Sequence, residues 1–182
     1  MSYITDHKRK FDDLHFQIKN RDQLRRQANG GNSILFSYPP NEENLYIEKA
    51  RELYREKATF IDVSQLLVRL IDDDGWESFR DYFLDFRNTP HLIFRSDDPT
   101  VDLFDLIISK IEAASKSGNI PFLIRTGCLY GTGIENVNIM EDRAIMTLPH
   151  VLVFFYPSRL EDENLYFMNF KPASKYRCKL IN

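Results

Sequence analysis

The chain predicts a single three-layer α/β domain: a mostly parallel sheet covered by helices on both faces, with a C-terminal antiparallel hairpin. Three observations predict it. Residues 121–124 and 151–155 are uninterrupted apolar runs, the pattern of strands buried on both faces, and a glycine-spaced loop and a helical stretch join them as in a βαβ unit. Two further short runs, 33–38 and 58–63, alternate with helical patterns, so four parallel strands with right-handed crossovers are the expected core. The last two runs, 165–170 and 176–181, are joined through Lys171, Pro172, Ala173 and Ser174, and so short a connection predicts a hairpin over 164–182.

Taken in order, residues 3–28 carry Ile4, His7, Phe11, Leu14 and Ile18 at steps of three and four, one stripe of an amphipathic helix that Asn29 and Gly30 terminate. The strand 33–38 stops at Pro39 and Pro40. Asn41 is the expected cap of the next helix, whose buried side is Tyr46, Ala50, Leu53 and Tyr54. After the strand 58–63, Ser64 is the expected cap of a helix bearing Leu66, Leu67, Leu70 and Ile71. Asp72, Asp73, Asp74 and Gly75 break that helix, and Trp76, Phe79, Tyr82, Phe83 and Phe86 follow at helical spacing. Residues 91–95 read as a short edge strand or as loop. Asp98 and Pro99 form a helix start, as cap and first helical residue, ahead of Leu103, Phe104, Ile107, Ile108 and Ile111. The succession is Rossmann-like, without repeats, linkers or low-complexity tracts.

At 182 residues the chain suits one domain, and its net charge of −3 supplies no basic field for DNA or anionic lipid. The N-terminal stretch is charged with no apolar segment behind it, and no run approaches the roughly 20 apolar residues of a membrane span. Cys128 and Cys178, too few for a disulfide framework, read as reduced thiols, so a cytoplasmic location is expected. The 14 Phe and 9 Tyr suit both a core and an interface.

Candidate chemistry is sparse. Gly127, Gly131 and Gly133 follow a strand and precede a helix, where backbone N–H groups can face a phosphate, but the spacing matches neither usual glycine motif, and a tight turn explains them equally well. The carboxyl ends of parallel strands, where open sheets bind ligands, offer Tyr38, Asp62, Arg125, Thr126, Tyr130, Tyr156, Ser158 and Arg159. His7, His15, His91 and His150 are scattered, so no metal site and no cofactor are implied. Cys128, near a helix start, is a candidate for a lowered pKa or a small buried hydrophobe. Lys8, Arg9, Lys10, Arg21, Arg25 and Arg26 are basic, yet aspartates intersperse them, and direct nucleic-acid binding is not expected. Trp76, Phe79, Tyr82, Phe83 and Phe86 exceed what one buried stripe needs and are the candidate partner-binding surface, with core packing as the competing explanation.

From Ser33 onward the chain resembles the BrxB-like proteins of BREX bacteriophage-exclusion systems. Thr126–Gly127, Tyr130, Pro149 before the 151–155 strand, Tyr156–Pro157, the strand 165–170 and Tyr176–Arg177 carry the likeness, supported by the SILFSYPPNEE and FIDVS stretches. The chain departs at Tyr130–Gly131–Thr132–Gly133 and at Pro157–Ser158–Arg159, as a divergent member or sister family would. The resemblance implies a non-catalytic adaptor or scaffold that binds a protein partner, the PglZ-like protein of alkaline-phosphatase fold. The alternative is a nucleotide- or phosphate-binding enzyme or sensor using the strand-end cleft.

Overall fold

A computed structural model describes residues 3–96 and 102–182; the proposed helix start at Asp98 and Pro99 lies outside the described residues. The four apolar runs form strands β1 (Ser33–Tyr38), β2 (Ala58–Asp62), β3 (Ile120–Ile124) and β4 (Leu152–Glu161). They are joined by β7 (Cys178–Ile181) in the order β2-β3-β4-β1-β7, each neighbouring pair parallel. Alternation along the strands divides the core in two. Ile34, Phe36 and Tyr38 of β1, with Val153 and Phe155 of β4, meet helices α1 (Tyr3–Lys19), α2 (Arg21–Gln27) and α3 (Glu43–Tyr54). Leu35, Leu152, Phe154 and Tyr156 face the other side, toward α4 (Val63–Asp74), α5 (Trp76–Phe86), α6 (His91–Phe94), α7 (Leu103–Lys116), α8 (Asn136–Met140) and α9 (Arg143–Thr147). Phe36 stacks on Phe155 at 4.8 Å in the middle of the sheet, where burying each ring contributes about 2 kcal/mol. No described helix is long and apolar enough to cross a membrane.

The C-terminal segment departs from the expected hairpin. β4 runs past the sheet, and Ser158–Glu161 turns back antiparallel onto β5 (Asn164–Phe167), which pairs in turn with β6 (Lys171–Ala173). Asp162 and Glu163 both take positive φ (46° and 66°), as a two-residue hairpin turn requires. Residues 176–181 do not pair with 165–170; Cys178–Ile181 instead reaches the far edge beside β1, where Cys178 and Ile181 are buried. The short 171–174 connection is a strand and its exit, with Pro172 at the outer position of β6.

Smaller corrections follow from local detail that periodicity does not encode. The expected N-terminal helix breaks at Asn20, and Arg21 then reaches the Asn32 amide oxygen (2.9 Å) and the Leu148 carbonyl. A 3-10 turn (Pro40–Glu42) precedes α3, so Asn41 does not cap it; Ile47 rather than exposed Leu53 completes its buried side. Asp62, not Ser64, caps α4, accepting from the Ser64 and Gln65 amides. Residues 91–94 are helical, and Asp102 caps α7 by accepting from the Asp105 amide (2.9 Å).

Candidate functional site

Three of the strand-end groups converge. Tyr38, the last residue of β1, donates its hydroxyl to Glu43 Oε1 at 2.8 Å. Arg125, immediately after β3 and held at a left-handed φ of 55°, brings Nε to 3.2 Å from Asp62 Oδ2, Nη1 to 3.8 Å from Glu43 Oε2 and Nη2 to 3.3 Å from Asn44 Oδ1. Asp62 is further occupied by Ser64, whose hydroxyl donates to its Oδ1 at 2.6 Å. Burial first, then the Glu43 carboxylate, pushes the Tyr38 phenol well above its ordinary pKa. The network therefore ties β1, β2 and β3 together at their carboxyl ends. Two carboxylates against one guanidinium leave it net negative, which opposes an anionic ligand such as phosphate. Glu43, the first residue of α3, is the member that is absent from the strand-end set read from the sequence.

The remaining strand-end residues lie apart. Tyr156 is adjacent to Ser37 in register and projects to the opposite sheet face from Tyr38. Its hydroxyl donates to Asn136 Oδ1 at 3.4 Å, its ring stacks on Phe167 at 4.7 Å, and the cavity beside it measures about 20 Å³, the room of about one water. Arg159 belongs to the outer hairpin, donating to the Asn169 carbonyl (2.8 Å) and pairing with Glu161 (2.7 Å). Ser158 is buried and donates to Ser37 Oγ at 3.0 Å.

The glycine loop folds on itself. Thr126 donates its hydroxyl to the Phe155 carbonyl at 2.6 Å, locking the loop to β4. The amides of Cys128, Tyr130 and Thr132 donate to the carbonyls of Arg125, Gly127 and Leu129, and the Ile134 amide donates to Thr132 Oγ1. Those N–H groups are spent inside the turn rather than aimed at a ligand. Gly131 and Gly133 have φ of 85° and 80°, whereas Gly127 is in ordinary geometry and packs near Met168 and Pro157. Tyr130 is exposed and meets Phe170 edge-on at 5.3 Å. Burial, and secondarily the Asp62 carboxylate, pushes the Cys128 thiol up to about 12, the reverse of an activated nucleophile. The basic stretch is dispersed too: Lys10 is buried and donates to the Ser37 carbonyl at 3.2 Å. Among the described residues, no cluster of three His, Cys, Asp or Glu side chains can hold a metal ion.

No known protein family, curated protein or solved structure matches this chain. Its own surface is then the guide, and among the described residues α5 exposes Trp76, Tyr82, Phe83 and Leu84. Gly75, at φ 82°, separates α4 from α5. Phe79 is 8% exposed and packs toward Phe94 (6.1 Å), while Trp76 is 64%, Tyr82 45% and Phe83 37% exposed. At 100° per residue these side chains form one arc, with Phe79 and half-buried Phe86 at its centre and Trp76 and Tyr82 on opposite flanks. The helix buries the middle of the arc and leaves its edges in solvent.

Proposed function

We propose that this chain is a non-catalytic adaptor that captures a protein partner on the aromatic arc of α5, using a Rossmann-like body as a rigid scaffold. The observation that carries it is the 64% exposure of Trp76 beside exposed Tyr82 and Phe83. Large aromatics left in water at one helix face are the residues that anchor interfaces, where truncating an anchor costs about 2 kcal/mol or more. The polar groups at the strand ends support the same reading, because Tyr38, Asp62, Arg125 and Thr126 are engaged with one another or with backbone. The resemblance to BrxB-like proteins names the partner to try: the PglZ-like protein of a cytoplasmic anti-phage system.

Co-expression with the PglZ-like protein tests the proposal. Capture is expected for the parent chain and is lost in Trp76→Ala and Tyr82→Ala while the melting temperature stays within a degree or so, as for exposed positions generally. Undiminished capture by both variants, or clear thermal stabilisation of the parent by a nucleotide, contradicts it.

A further inference from the structure

A second surface, distinct from the aromatic arc of α5, lies at one end of the sheet. β2 ends the strand order and has β3 on one side only. The Ala58↔Ile120 register and the bond from the Ile120 amide to the Lys57 carbonyl (2.8 Å) set which backbone groups point inward. In such a parallel ladder Thr59 and Ile61 bond to β3, so the N–H and C=O groups of Ala58 and Phe60 point out of the sheet. A groove runs along each face of this edge. One, of about 430 Å³, lies between α4 and α7 and is lined by Ile61, Leu66, Arg69 and Lys110. The other, of about 420 Å³, is lined by Phe60, by Arg51 and Glu52 of α3, and by Arg55 just past its end.

The charge of these grooves selects the occupant. Arg69 and Lys110 line one and Arg51 and Arg55 the other, Arg51 lying 4.9 Å from the Phe60 ring centre. The lining carboxylates are already engaged, Asp62 with Arg125 and Glu52 with Lys49 at 2.9 Å, while Arg69 makes a solvent-exposed pair with Asp73 at 3.6 Å, the kind that contributes little. We propose that the β2 edge accepts an extended acidic segment of a partner protein as an added strand. Its backbone pairs with Ala58 and Phe60, and its alternate side chains enter the two cationic grooves. A second copy of β2 in the same place sets like charges against each other, which disfavours edge-to-edge self-pairing.

The test uses the whole chain and a short blocked peptide of alternating glutamate and valine, with the lysine–valine peptide as control. The glutamate peptide is expected to shift the Ala58 and Phe60 amide resonances, slow their hydrogen exchange, and bind at least about tenfold more tightly than the control. Arg55→Glu combined with Lys110→Glu removes that preference. Ala58→Pro deletes an outward N–H without touching the inner ladder and weakens binding about tenfold. The proposal is overturned if both peptides bind alike or if those amides do not respond. Concentration-dependent self-association perturbing the same amides overturns it as well, and assigns the edge to a second copy.

Discussion

Gly131 and Gly133 stand two residues apart at nearly the same positive φ, yet their surroundings differ. Open space surrounds a Cβ at Gly131, whereas one at Gly133 falls 2.6 Å from the His91 Cβ. Gly131→Ala is expected to cost about 1 kcal/mol from backbone strain alone, and Gly133→Ala about 1–3 kcal/mol more from overpacking against α6. Urea denaturation of the two variants checks the order; equal losses contradict the contact. The buried thiols make a second residue-scale prediction. Burial holds Cys128 and Cys178 up to about 12, and Tyr54 up to about 12 as well. The unfolded chain releases these protons near their ordinary values, so above about pH 9 the folded state binds more of them and stability falls as pH rises through the folded values. Buried Lys10, whose pKa is lowered by burial, acts with opposite slope. The urea midpoint is expected to decline between about pH 9 and 12, less steeply once Cys128 and Cys178 are replaced by alanine. A midpoint that is flat or rising over that range contradicts the assignment.

At the scale of elements, the four buried strands were legible because their apolar runs were uninterrupted and separated by helical periodicity. The C-terminal pairing was not. β4 looks complete at Phe155 by hydropathy, but the strand continues through Tyr156, Pro157 and Ser158, all buried, into exposed Arg159. The turn that reverses it, Asp162–Glu163, carries no glycine to announce its positive φ. Likewise the aromatic count of α5 was readable, but which rings face the core depends on how α5 docks against its neighbours. That division is measurable. Phe79→Ala is expected to destabilise the fold by about 3 kcal/mol or more, and Trp76→Ala by no more than about 0.5 kcal/mol. Comparable losses at both positions place the whole arc in the core.

At the scale of the molecule, the sheet is a rigid platform whose centre and edges differ. β1 and β4 lie between parallel neighbours and contribute residues to both apolar clusters, whereas β5 and β6 extend beyond the platform as a small hairpin. The strand-end site was half legible for the same topological reason. Parallel strands bring Tyr38, Asp62 and Arg125 to one end of the sheet, but strand alternation sends Tyr156 to the other face, and the network closes through Glu43 in the helix after β1. That closed network engages the strand-end side chains with one another, and the proposed function places association on the exposed aromatic arc instead. The account is tested most directly by hydrogen exchange of the whole chain with and without the PglZ-like protein. It predicts that the partner slows exchange across residues 76–86 and leaves the Tyr38–Glu43–Arg125 end of the sheet unchanged. Protection confined to the strand ends and the glycine loop, with 76–86 exchanging as in the free chain, contradicts it.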